Sequence, residues 1–134
     1  MNQPLRIVLI GCARSAGMTI QELQAGGQAL PEGVEWVSMP CGGSVDTIHI
    51  LRAFESGADR VMVLACYEDA CHSGDGPRWA ERRVAAARAT LQEVGIPAEY
   101  LVFHNIGPNM PTDLLAWLSH WPEPAPAASA EQPA

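Results

Sequence analysis

The sequence predicts an α/β fold with one parallel four-stranded sheet, strand order 2-1-3-4, and helices on both faces, as in flavodoxin-like proteins. Short apolar runs rich in β-branched residues alternate four times with longer segments of helical periodicity. The runs are apolar along most of their length, which is typical of parallel strands buried on both faces. Right-handed crossovers then give a three-layer sandwich whose switch point lies between strands one and three.

Four runs are predicted to be strands. The first is Ile7 to Gly11, closed by Cys12. The others cover about residues 34–40, 60–66 and 100–103.

Four helices are predicted between and after these strands. A weak helix within residues 15–30 ends near Gly26, and a second helix begins with Ser44 as its N-cap and stops at Gly57. The strongest helix is opened by Pro77 and closed by Gly95. Its apolar stripe comprises Ala80, Val84, Ala87, Leu91 and Val94. The last helix is expected near residues 112–121.

Chain length and composition predict a single domain over residues 1–121. Residues 122–134 are rich in proline and alanine and are expected to be disordered, because they cannot supply a core.

Charge and hydropathy argue against several classes of partner. The net charge is −7 and the chain has no lysine, which disfavours nucleic acid and anionic membranes as partners. No apolar run reaches the roughly 18 residues that suggest a membrane span. The N-terminus leads directly into a strand pattern rather than an apolar leader, so we expect a cytoplasmic protein with reduced thiols.

The most informative residues are the four cysteines. Cys12, Cys41 and Cys66 each follow or end a predicted strand, and Cys71 comes five residues after Cys66. Because parallel strands place their carboxyl ends at one edge of the sheet, these thiols are expected to converge there. Four thiolates are the ligand set of an iron–sulfur cluster or of a structural zinc ion.

The spacing C-x28-C-x24-C-x4-C contains one close pair, whereas zinc sites usually contain two, so the pattern favours iron–sulfur over zinc. The alternative is that some of these cysteines are only buried core residues. His72, beside Cys71, is an alternative ligand or donor but is expected to be an ordinary loop residue, like His49 and His104 elsewhere.

The residues after Cys41 suit such a site. Gly42 and Gly43 have no side chains, so their amides can approach sulfur closely. The helix predicted from Ser44 would direct its positive end to the same place. Four arginines, Arg78, Arg82, Arg83 and Arg88, concentrate on the next helix. They predict either a solvated face or a surface that docks acidic partners.

Other chemistry has little support. The segment after the first strand lacks a G-x-G-x-x-G pattern, so a flavodoxin-like nucleotide binder is disfavoured. No serine–histidine–aspartate arrangement with a suitable context is present.

Two segments resemble the delta subunit of methyl-viologen-reducing hydrogenases, also called the hydrogenase iron–sulfur subunit. They are Pro40-Cys41-Gly42-Gly43-Ser44-Val45-Asp46, continued through Ile50 to Asp59, and Cys66-Tyr67-Glu68-Asp69-Ala70-Cys71-His72. The arginine-bearing helix with Ala80-Glu81-Arg82-Arg83-Val84 and the strand after Gly95-Ile96 also fit, so the resemblance covers about residues 5–121.

The resemblance implies one [2Fe–2S] cluster. Cys41, Cys66 and Cys71 fall on family cysteines, and Cys12 would be the fourth ligand. It also implies a non-catalytic electron-transfer subunit between a heterodisulfide-reductase-type flavoprotein and a hydrogenase, formate dehydrogenase or methylene-tetrahydrofolate reductase. Tyr67, Met110 and Trp121 are expected to add apolar contacts at the cysteine edge. The alternative is a zinc-binding or cluster-free scaffold subunit of a larger complex.

Overall fold

The computed structural model describes residues 5–67 and 75–121. Its sheet has four parallel strands in the order 2-1-3-4, which confirms the predicted topology. The strands are β1 (Ile7–Cys12), β2 (Val34–Met39), β3 (Arg60–Ala65) and β4 (Leu101–Asn105). The helices are α1 (Ala16–Ala25), α2 (Thr47–Glu55), α3 (Gly76–Glu93) and α4 (Pro111–Ser119), with 3-10 turns at Gly42–Ser44 and Ala98–Tyr100.

The strands run in close register. Ile7 lies opposite both Val34 and Arg60, and Cys12 at the other end of β1 lies opposite Met39. Ala65 at the end of β3 lies opposite Asn105. All four strands therefore finish at the same side of the sheet, here called the carboxyl edge.

Two apolar layers cover the central strands because their side chains alternate between the faces. Val8 and Ile10 of β1 pack with Val61 and Val63 of β3 against α2 and α3. The intervening residues, Ile7, Leu9, Met62 and Leu64, pack against α1 and α4. The predicted stripe of α3 is buried at Ala80, Val84, Ala87 and Leu91.

Strand β2 departs from the predicted burial on both faces. Glu35 and Val37 are exposed, whereas Val34 and Trp36 on the opposite face are half-buried against the α1 side. The reason is geometric: β2 is an edge strand, and α2 and α3 pack mainly over β1 and β3.

The predicted start of the second helix is wrong. The Gly42–Ser44 turn is followed by extended backbone at Val45 and Asp46, so α2 begins at Thr47 with Asp46 as its N-cap. The backbone N–H of Asp46 donates to Nδ1 of His49 at 2.8 Å. His49 therefore has a structural role at this helix start, which the sequence pattern did not predict.

Two smaller predictions also differ. Val94 is 69% exposed, because the chain leaves α3 there and turns through Gly95 at a positive φ of 87°. The fourth strand occupies Leu101–Asn105, displaced towards the C-terminus from the expected start at Tyr100. Within the two described ranges, no helix has the length and apolar character needed to cross a membrane.

Candidate metal centre

Three of the four cysteines lie at the carboxyl edge. Cys12 is the last residue of β1, Cys41 follows β2 by two residues, and Cys66 directly follows β3. These three strands are neighbours in the sheet, so the cysteines share one stretch of its edge. Cys71 and the alternative ligand His72 lie outside the described residues.

The described cysteines differ in their surroundings. Cys12 and Cys66 are buried, with 3% and 8% of their surface exposed, whereas Cys41 is half-buried. The main chain at Cys66 is fixed by the end of β4: Nδ2 of Asn105 donates to its carbonyl oxygen at 3.0 Å, and the Ile106 N–H donates to Ala65 at 2.8 Å. Sequence reasoning missed Asn105, although its side-chain amide can donate to a neighbouring backbone carbonyl.

The loop after Cys41 approaches the sheet closely because of its glycines. A Cβ on Gly42 would lie 2.8 Å from the Cβ of Ala65, and one on Gly43 would lie 3.2 Å from the Cα of Gly76. The backbone N–H of Gly43 donates to Sγ of Cys41 at 3.3 Å. One of the two glycine amides expected to face sulfur therefore does so, and such a contact stabilises a thiolate.

A cleft of about 350 Å³ opens beside this loop. It is lined by Cys41, Gly43, Ser44, Asp75, Gly76 and Trp79. Trp79 is 47% exposed, and the guanidinium of Arg82 stands 5.3 Å from its ring centre. Sequence reasoning also missed Trp79, although an aromatic residue three positions before an arginine on a helix indicates a cation–π contact between the two side chains.

The arginines of α3 do not share one role. Arg83 donates to the carbonyl oxygens of Gly43 and Val45, the latter at 3.0 Å, and Arg88 donates from Nε to Leu101 at 2.9 Å. Arg78 and Arg82 are exposed. The interpretation of all four as one solvated or docking face is therefore wrong, because two of them bind backbone within the domain.

The residues expected to offer apolar contacts at the carboxyl edge do not all lie there. Tyr67 and Met110 meet there, with the tyrosine hydroxyl 3.7 Å from the methionine sulfur. Trp121 instead donates from Nε1 to the carbonyl of Glu99 at 2.8 Å. Glu99 precedes β4, so Trp121 lies at the opposite edge of the sheet. Its assignment to the cysteine edge is wrong because α4 carries the chain back across the sheet.

His104 belongs to the α1/α4 packing rather than to the cysteine site. Its ring stacks on Trp117 with the centroids 4.1 Å apart and the planes 3° from parallel. Burial lowers the pKa of His104, since desolvation penalises the charged imidazolium. The lowered pKa therefore reports helix packing rather than metal chemistry.

The donor chemistry at the carboxyl edge fits a thiophilic metal group. Within residues 5–67 and 75–121, no three histidine, cysteine or acidic side chains are close enough to hold a metal together. Among the described residues, the buried hydroxyl of Ser15, in the turn after Cys12, has no hydrogen-bond partner. Cysteines at the ends of three neighbouring strands and an amide on one of the sulfurs suit a cysteine-bound cluster, with Cys71 as the remaining candidate ligand.

Fold and site together define a doubly wound α/β domain with thiols along the carboxyl edge of its sheet. Comparison with known proteins gives the family. The sequence model of the methyl-viologen-reducing hydrogenase delta subunit matches residues 7–123, and the chain belongs to that family.

Individual relatives support this membership. The chain is 37% identical over 94 residues to the iron-sulfur subunit of the vhu F420-non-reducing hydrogenase of Methanopyrus kandleri, covering 69% of this chain and 71% of the relative. It is 42% identical over 66 residues to the same-named subunit of Methanocaldococcus jannaschii, covering 49% of each chain.

A further similarity lies within a larger protein. The chain is 28% identical over 71 residues to one subunit of the ferredoxin/F(420)H(2)-dependent CoB-CoM heterodisulfide reductase of Methanosarcina acetivorans. The match covers 53% of this chain and 9% of that protein.

Proposed function

We propose that this chain is an electron-transfer subunit that holds one [2Fe–2S] cluster through Cys12, Cys41, Cys66 and Cys71. The observation that carries the proposal is the position of three cysteines at the ends of three neighbouring strands. Family membership supports it, since the relatives are named as iron-sulfur subunits of hydrogenases. When bound, such a cluster supplies one-electron transfer without bond chemistry by the protein.

The residues of the chain have distinct tasks in this proposal. Cys12 and Cys66 offer buried thiolates that water reaches poorly, and Cys41 offers a thiolate at the cleft. The Gly43 amide stabilises the negative charge on the Cys41 sulfur, which raises the reduction potential. The half-exposed position of Cys41 makes this the side from which a partner's cofactor would approach.

A zinc-binding or cluster-free scaffold is the competing proposal. Its cluster-free form has the support that the described side chains are not gathered into a ready metal site. Iron–sulfur ligation is favoured because the relatives carry that name and only one close cysteine pair is present.

Serine substitution at each cysteine tests the ligand set. After anaerobic reconstitution, each of C12S, C41S, C66S and C71S should lose iron or change its electron paramagnetic resonance spectrum, because oxygen suits iron–sulfur irons poorly. S44A is the matched control, since Ser44 is exposed beside the same cleft. If C12S keeps the full iron content and spectrum, Cys12 is not a ligand and His72 becomes the first alternative.

We further propose that the cleft side docks the electron-exchange partner in the cytoplasm. The partner would be a heterodisulfide-reductase-type flavin or iron–sulfur subunit, with a hydrogenase or another oxidoreductase beyond it. Exposed Trp79 and Arg82 form an aromatic and cationic pair beside Cys41, and such pairs are frequent interface anchors. Tyr67 and Met110 add apolar surface at the same edge.

Gel filtration of native extract tests the partner. The chain should elute in a species far larger than its own 14.3 kDa, and W79A should shift part of it to a smaller species. W117A serves as a control for losing a tryptophan, because Trp117 packs on the α1/α4 side. A fully active lone chain would contradict the proposal.

A further inference from the structure

We propose that Arg83 is a positioning residue that holds Cys41 in place for cluster binding, an inference that rests on the proposed function. Arg83 projects from the second turn of α3, and its hydrogen bonds go to the loop that follows Cys41. It therefore acts on the cysteine through the loop backbone rather than by direct contact.

The contacts concentrate on one nitrogen. The same Arg83 nitrogen donates to the carbonyl oxygens of Gly43 and Val45, on either side of Ser44. Gly43 is held at both of its polar groups, since its N–H donates to Sγ of Cys41 at 3.3 Å. Holding the Gly43 carbonyl restricts the φ and ψ angles of Gly43, and so limits how far its N–H can turn away from the sulfur.

The surroundings keep the guanidinium in position. Arg83 is half-buried, and its guanidinium carbon is 5.6 Å from the ring centre of Trp79. The other backbone hydrogen bonds described within the loop are short-range: the Ser44 N–H donates to the Cys41 carbonyl at 2.9 Å, and the Val45 N–H donates to the Gly42 carbonyl at 3.1 Å. Among the hydrogen bonds described for this loop, those from Arg83 connect it to the body of the domain.

The positive charge of Arg83 strengthens its hold on the loop. Hydrogen bonds from a charged donor are stronger than those between neutral groups, so the two carbonyl contacts resist opening of the loop. Arg83 also places a positive charge beside Trp79, which lines the same cleft as Cys41, and a positive charge favours the reduced, more negative state of a cluster. Both effects would make the site bind iron better and make the reduction potential less negative.

The test compares R83Q with R82Q. Each variant loses one positive charge beside Trp79, since Arg82 and Arg83 stand 5.3 and 5.6 Å from the centre of that ring. Of the two arginines, Arg83 is the one that binds the loop. R83K is the conservative variant. Because both bonds come from one nitrogen, a lysine ammonium offers the same kind of donor from a shorter side chain and should keep part of this contact.

Two readouts are used, and the first needs no iron. In the apoprotein, backbone amide exchange at residues 42–45 should rise about tenfold in R83Q, stay unchanged in R82Q and rise less in R83K. In the reconstituted protein, R83Q should show a more negative reduction potential than R82Q.

The outcomes separate the inference from the function on which it rests. Equal exchange and equal potential in R83Q and R82Q would overturn the role of Arg83. A parent chain that never takes up iron would overturn the proposed function, and apoprotein exchange would still decide whether Arg83 holds the loop. If R83Q does not fold, R83K decides: its amide exchange at residues 42–45 should still exceed that of R82Q, and equal exchange in R83K and R82Q would overturn the role of Arg83.

Discussion

Replacing Gly42 with alanine should push the Cys41 loop away from the sheet. The new Cβ would lie 2.8 Å from the Cβ of Ala65 and 3.5 Å from its Cα. Favourable carbon–carbon contacts begin at about 3.5 Å, so the loop or β3 must move by roughly 0.7 Å. Gly42 and Ala65 are both buried, and overpacking of a well-packed site costs about 1–3 kcal/mol.

The assay is urea unfolding of the apoprotein, with a compensating variant as the internal test. G42A should lower the free energy of unfolding by about 1–3 kcal/mol. Combining it with A65G removes the clashing Cβ and should recover most of that loss, less about 0.5–1 kcal/mol for glycine in a strand. G26A is the control, since its new Cβ would meet its nearest neighbour, the Leu23 carbonyl, at an ordinary 3.5 Å.

Two results would refute this reasoning. One is a G42A variant as stable as the parent chain, which would mean that the loop does not pack on Ala65 as described. The other is a double variant no more stable than G42A alone, which would place the strain elsewhere.

Three further predictions concern other parts of the chain. Because burial lowers the pKa of His104, the stabilising contribution of this residue is complete above about pH 6.5 and is lost as the pH falls through the lower folded-state pKa. The free energy of unfolding, measured at pH 7.5 and pH 5, should therefore depend less on pH in H104Q than in H120Q. Equal pH dependence in the two variants would disprove this role. S15A should leave the apoprotein as stable or up to about 1 kcal/mol more stable in the same assay, since it removes a buried hydroxyl without a partner; a clear loss of stability would show that the hydroxyl is satisfied. Truncation after Trp121 should leave the circular dichroism spectrum and iron content unchanged, because residues 122–134 cannot supply a core; loss of iron would show that the tail contributes.

Much of the architecture could be predicted because the strands are strongly marked. The runs around Val8 and Val63 are apolar throughout, and glycines such as Gly57 and Gly95 end the intervening helices. The start of α2 could not be read as easily. Ser44 and Asp46 are both good N-cap residues. The turn through two closely packed glycines determines that Asp46, rather than Ser44, caps the helix.

The candidate site was predictable at the level of strand ends. The positions of Cys12, Cys41 and Cys66 at one edge follow from topology alone. The task of Arg83 did not follow, because it depends on how α3 packs over the Cys41 loop, a tertiary contact between residues 40 positions apart. Trp121 was misplaced for a similar reason: its edge is set by the direction in which α4 returns.

Iron and acid-labile sulfide counted together on the anaerobically reconstituted parent chain test the central claim most directly. The proposed function predicts two irons and two sulfides per chain and the spectrum of a cysteine-bound [2Fe–2S] cluster. A chain that binds zinc in preference, or that never approaches two irons, would contradict the claim and support the scaffold alternative.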